Sequence, residues 1–85
     1  MKVITFPNPY TDNVTFQIES NISGKGILEV YNLSGQKLQT VFEGNIAAGK
    51  GQVIRYSIPE QNRSTLIYRL RVGETTTTGK VLYTN

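Results

Sequence analysis

The sequence predicts an all-β domain, a β-sandwich of about seven short antiparallel strands. Apolar and polar residues alternate over several stretches, the two-residue period of strands that bury one face. Clusters of Gly, Pro, Asn and Asp break these stretches at intervals of roughly 8–12 residues, and no helical period persists between them. Short hairpins and this many strands favour an immunoglobulin-like sandwich over a five-stranded barrel.

In chain order, Lys2–Phe6 is a short β-branched run stopped by Pro7-Asn8-Pro9. Two prolines remove two ladder donors, which predicts an extended crossing between strands or sheets and excludes a central strand. Asp12-Asn13 turns the chain into a strand whose Val14, Phe16 and Ile18 share one face. Ser20–Lys25 is polar, contains glycine and reads as a connection. Leu28-Glu29-Val30-Tyr31 is a half-buried strand, and Asn32-Leu33-Ser34-Gly35 is a tight reversal. Asn suits the first position of a type I turn and Gly the fourth, so Lys37–Phe42 returns as the second arm of a hairpin with a glycine bulge. Gly44–Gly51 carries three glycines and reads as a flexible loop.

Ile54, Tyr56 and Ile58 are in phase along the next strand, with Arg55 and Ser57 facing away. Pro59–Ser64 is a polar loop. Leu66, Tyr68, Leu70 and Val72 alternate with Ile67, Arg69 and Arg71. Gly73-Glu74 fits a two-residue type II′ link, and Thr75–Thr84 returns as the last strand, with Gly79 a bulge or a close-contact site.

Eighty-five residues form a single domain that buries about 60–65% of the unfolded chain's surface. The chain has no cysteine and no histidine, so thiolate sites, disulfides and the commonest general base are all missing. The net charge of +3 is mild. No apolar run approaches the roughly 20 residues that span a bilayer, so no transmembrane segment is expected. No charged-then-apolar leader precedes the first strand, which predicts no export signal peptide within these residues.

The carboxylates Asp12, Glu19, Glu29, Glu43, Glu60 and Glu74 are scattered over turns and outward faces, so no acid–base pair is indicated. Ser and Thr lack a base. Oxygen-only metal binding would need a carboxylate-rich loop that is missing. Arg55, Arg69 and Arg71 could share an outer face with Tyr31, as a single-strand nucleic-acid binder requires. A solvated strand face guarded by Arg accounts for them more simply, and no nucleic acid is expected. Four Asn-x-Ser/Thr triplets, at Asn13, Asn21, Asn32 and Asn62, arise easily in so Asn-, Ser- and Thr-rich a chain. The sequence nominates no catalytic residue, metal ligand or cofactor.

One ordered series remains: Phe6-Pro7-Asn8-Pro9-Tyr10, Val14-Thr15-Phe16, Val30-Tyr31-Asn32-Leu33-Ser34-Gly35, Ala48-Gly49, Tyr68-Arg69-Leu70 and Thr78-Gly79-Lys80-Val81-Leu82. From about Val3 to Leu82 it resembles the C-terminal sorting domain, type A, of the type IX secretion system. That resemblance implies a non-enzymatic domain, residues 1–85, ending a larger exported protein. Its partners would be an N-terminal cargo domain, the outer-membrane secretion machinery and a sortase-like peptidase that removes it, leaving the cargo at the cell surface or outside the cell.

The family's Pro-x-Pro falls on Pro7 and Pro9, and its Asp-x-x-Gly turn on Asn32 and Gly35, with Asn for Asp. Its late Gly-x-Tyr meets Leu66-Ile67-Tyr68, and its Gly-Lys falls on Gly79-Lys80. The expected recognition residues are Pro7, Pro9, Asn32, Gly35, Gly79, Lys80, Val81 and Leu82. The last hairpin and C-terminal strand would be the surface that is gripped, by strand addition to an edge. The alternative is a carbohydrate-binding, adhesive or structural sandwich module of a surface protein.

Overall fold

The computed structural model describes residues 1–85. Its strands are β1 (Lys2–Phe6), β2 (Asn13–Glu19), β3 (Gly24–Tyr31), β4 (Lys37–Ile46), β5 (Gln52–Ser57), β6 (Leu66–Val72) and β7 (Thr75–Val81). A single 3₁₀ turn, Glu60–Asn62, interrupts them, and there is no α-helix. One sheet has the order β1-β2-β5 and the other β4-β3-β6-β7, with every named pair antiparallel. Hairpins β1–β2, β3–β4 and β6–β7 stay within a sheet, and the chain crosses between sheets after β2, β4 and β5. This is the immunoglobulin-like sandwich that the strand pattern predicts.

Alternation dictates what fills the space between the sheets. Val14, Phe16, Ile18, Ile54 and Tyr56 of one sheet meet Leu28, Val30, Ile46, Leu66, Tyr68, Leu70, Val72 and Val81 of the other. Tyr10 and Ile58, on connecting segments, complete the buried cluster. The Phe16 and Tyr68 rings meet edge to face at 5.6 Å across the layers, a geometry that adds about 0.5–1.5 kcal/mol to area burial.

The β3–β4 hairpin has the predicted turn. The Asn32 carbonyl accepts from the Gly35 N–H at 3.0 Å, and Gly35 sits at φ +85°. The β3–β4 register slips twice, leaving Leu38 and Val41 as extra residues on β4. At the β6–β7 link Gly73 has φ +59° and no non-glycine residue has positive φ, the sign pattern of a type II′ turn.

Three boundaries differ from the expectation. Lys2–Phe6 is a paired strand along its whole length, although at a sheet edge as the prolines require. The β3–β4 ladder runs on through Gly24 and Ile46, because Gly26 and Gly44 pair inside it. A Cβ on Gly26 would overlap Ile46, and one on Gly44 would press the Phe42 ring, so these glycines make room for side chains and do not loosen a loop. Finally, β7 ends at Val81, and Leu82–Thr84 leave β6 to pair elsewhere.

Candidate recognition surface

The sequence-nominated residues fall into three places. Pro7, Pro9, Lys80, Val81 and Leu82 come together at one end of the sandwich, where the first segment clasps the last. The Tyr10 N–H donates to the Leu82 carbonyl at 2.8 Å, and the Thr84 N–H donates to the Tyr10 carbonyl at 2.9 Å, a short parallel bridge. Between the two prolines Asn8 faces the same segment. Its Oδ1 accepts from the Leu82 N–H at 2.8 Å, and its Nδ2 donates to the Lys80 carbonyl at 3.4 Å. The Phe6–Pro7 and Asn8–Pro9 peptide bonds are cis.

Tyr10 anchors this clasp. Its hydroxyl donates to the Ser64 carbonyl at 2.6 Å and accepts from the Ser64 N–H at 3.0 Å, and its ring rests 5.3 Å from that of Tyr83. Burial pushes its phenol above the ordinary range, with the Ser64 bond pulling the other way. Sequence reasoning missed Asn8 and Tyr10. A polar Asn between two prolines, where no turn is otherwise needed, was the available signal.

Leu82 therefore has its backbone already engaged, although its side chain is about half exposed. Val81 is a core residue at 1% exposure, so a truncation that begins there would remove packing as well as any docking surface.

Gly79 lies within β7 in regular register opposite Tyr68, so it is the close-contact site and not a bulge. A Cβ there would overlap the Tyr68 ring, which lies across it. Asn32 and Gly35 stand at the hairpin turn on β3–β4. Asn32 Oδ1 accepts from the N–H groups of Ser34 and Gln36, both at 3.0 Å, and Nδ2 donates to Gln36 Oε1 at 3.2 Å. Turn geometry thus accounts for the full hydrogen-bonding use of this side chain.

The outer face of the four-stranded sheet carries the charge. Lys25, Glu29 and Tyr31 of β3, Lys37 and Glu43 of β4, Arg69 and Arg71 of β6, and Lys80 of β7 alternate with buried or inward positions. Glu29 accepts from Arg69 at 2.8 Å, Lys37 at 3.3 Å and the Tyr31 hydroxyl at 3.2 Å. The Arg69 bond above all holds the Glu29 carboxyl below its usual range, with Lys37 and Tyr31 adding to it against partial burial. Arg69 also stacks 5.3 Å above the Tyr31 ring, and Lys25 pairs with Glu43 at 3.2 Å. Arg71 and Lys80 make no ion pair.

Arg55 does not join them. It lies on β5 of the other sheet, so the three-arginine face considered from the sequence does not form. No group of three or more acidic residues converges. The one concavity, lined by Gln17, Glu19, Ser20, Gly49, Lys50 and Gly51, has no hydrophobic residue in its wall, unlike a small-molecule site.

The nominated residues thus lie on an edge strand, on a turn and in a clasp between the first and last segments of the chain. Residues 4–83 match the family described as the secretion system C-terminal sorting domain, and the chain belongs to that family. Type IX secretion is the system concerned, which makes this a domain of a secreted protein. No curated protein and no solved structure matches the chain.

Proposed function

We propose that this domain is the C-terminal signal, of type A, that carries an N-terminally attached cargo through the outer membrane and is then cut away by a sortase-like peptidase. The observation that carries this reading is the family match over residues 4–83, which touches all seven strands. The domain acts as a ligand of the secretion machinery and then as a peptidase substrate. The β7 hairpin, with Lys80, is the gripped surface, and the clasp around Asn8 fixes where the two ends of the domain stand relative to each other.

The test is a folded periplasmic reporter fused ahead of residues 1–85 in a bacterium with a type IX system. Export predicts a reporter reachable by protease added outside the cell. It also predicts periplasmic retention when the machinery is deleted and loss of the domain's mass from the exported product. Equal exposure with and without the machinery would refute sorting. An exported reporter that keeps the whole domain would refute only the peptidase step. The adhesive alternative needs an outward aromatic platform. Tyr56 and Tyr68 are core residues, while Phe6 and Tyr31 lie on opposite sheets.

A further inference from the structure

The two edges of the four-stranded sheet are treated differently. β4 carries two bulges, at Leu38 and Val41, which twist an edge away from foreign strands. β7 is the opposite edge and pairs with β6 in unbroken register from Thr75 to Val81. In an antiparallel ladder closed by a two-residue turn, Thr75, Thr77, Gly79 and Val81 spend their backbone groups on β6. Those of Thr76, Thr78 and Lys80 point away. The Lys80 carbonyl fits this alternation, since it meets Asn8 on the far side. Thr76 and Thr78 leave their N–H and C=O groups to solvent.

The same strand borders all of the net charge. On the outer face of this sheet stand five cations, Lys25, Lys37, Arg69, Arg71 and Lys80, and two carboxylates, Glu29 and Glu43, a surplus of three. The remaining four cations and four carboxylates cancel. Lys25 offsets Glu43, and Glu29 is shared by Lys37 and Arg69. One of the three surplus charges therefore stays on that cluster, and the other two sit on Lys80 and Arg71, one on the edge strand and one beside it. Between them the edge shows only the short hydroxyl side chains of Thr76 and Thr78.

We propose that the free edge of β7 takes up an extended acidic strand of a partner protein. The incoming backbone pairs with Thr76 and Thr78, and its carboxylates, at alternate positions, meet Lys80 and Arg71. Main-chain pairing supplies affinity in such strand addition, and the alternate side chains supply selection. A side chain across from Thr78 is diagonal to Lys80, about 7–8 Å away and within reach of long side chains. This rests on the sorting reading and names the chemistry of what the machinery presents.

The experiment uses the whole 85-residue domain and two synthetic peptides of about seven residues, one alternating Glu with Val and one alternating Lys with Val. Amide shifts are followed by NMR. The Glu peptide should shift the Thr76 and Thr78 amides saturably. Its affinity should fall at least about tenfold in Lys80→Glu/Arg71→Glu and several-fold between about 50 and about 300 mM salt. Thr78→Pro removes an outward donor without touching a charge and should abolish the shifts. If that variant fails to fold, the charge-reversal pair still decides. Equal response to both peptides, or unchanged affinity in the charge-reversed protein, would overturn the proposal. If peptides fail while the fused reporter is still exported, this inference falls alone; if the reporter is not exported, the sorting reading falls.

Discussion

Asn32 and Gly79 are small, polar or side-chain-free residues whose neighbours dictate them. At Asn32 one oxygen accepts two backbone N–H groups, and a carboxylate would accept the same two. Asn32→Asp should therefore hold thermal stability, while Asn32→Ala should lose about 1–3 kcal/mol, two hydrogen bonds' worth, in chemical denaturation. Equal loss in both would show that Nδ2, bonded to Gln36, is the group that matters. Gly79→Ala should destabilise by about 1–3 kcal/mol, because the added methyl meets the Tyr68 ring and neither β6 nor the core can yield cheaply. The double variant Gly79→Ala/Tyr68→Leu should cost clearly less than the two single changes together. Strict additivity would mean that the ring and the glycine do not constrain each other.

Among the elements, β2, β5 and β6 were legible because each is flanked by a partner on both sides or buries every second residue, so alternation maps straight onto burial. The end of β4 was not. Gly44 and Gly26 are loop signals in isolation, and only the Phe42 and Ile46 side chains that fill their space show why a strand needs them. Residues 82–84 were read as strand from composition, and they do pair, but with Tyr10 from the far end of the chain. No local pattern reports a contact across some 70 residues. Pro7 and Pro9 announced an extended segment, and Asn8 between them signalled a polar contact, but its partners, Lys80 and Leu82, lie too far along the chain for any local pattern to name. The clasp yields its own prediction. Asn8→Ala should raise hydrogen exchange at the Leu82 and Thr84 amides by about tenfold, the loss of roughly one hydrogen bond, and leave β6 amides unchanged. Exchange unchanged at Leu82 would mean that Tyr10 alone secures the tail.

Across the whole molecule, the titrating groups leave the middle of the pH scale empty. Histidine and cysteine are absent, so apart from the α-amino group no side chain has an ordinary pKa between about 5 and about 9.5. On the acid side Glu29 is held low by Arg69. Its contribution is complete above the unfolded carboxyl's value, about 4.3, and disappears as pH falls through the depressed folded value. On the alkaline side burial raises the phenols of Tyr10, Tyr56 and Tyr68. The unfolded chain ionises first, so stability is intact below about pH 10 and declines as pH climbs toward the folded values. The melting temperature should therefore be level from about pH 5.5 to about pH 9.5 and fall on both flanks, more steeply on the alkaline one, where three groups act together. In calorimetry Glu29→Gln should flatten the acid flank, and Tyr10→Phe should make the alkaline one shallower while Tyr56 and Tyr68 keep the rest. A melting temperature that slopes through pH 6–8 would contradict the assignment of the acid flank to Glu29 and of the alkaline flank to the buried phenols. Protonation of Glu29 at low pH also frees Arg69 and Lys37 and adds positive charge to the face beside β7.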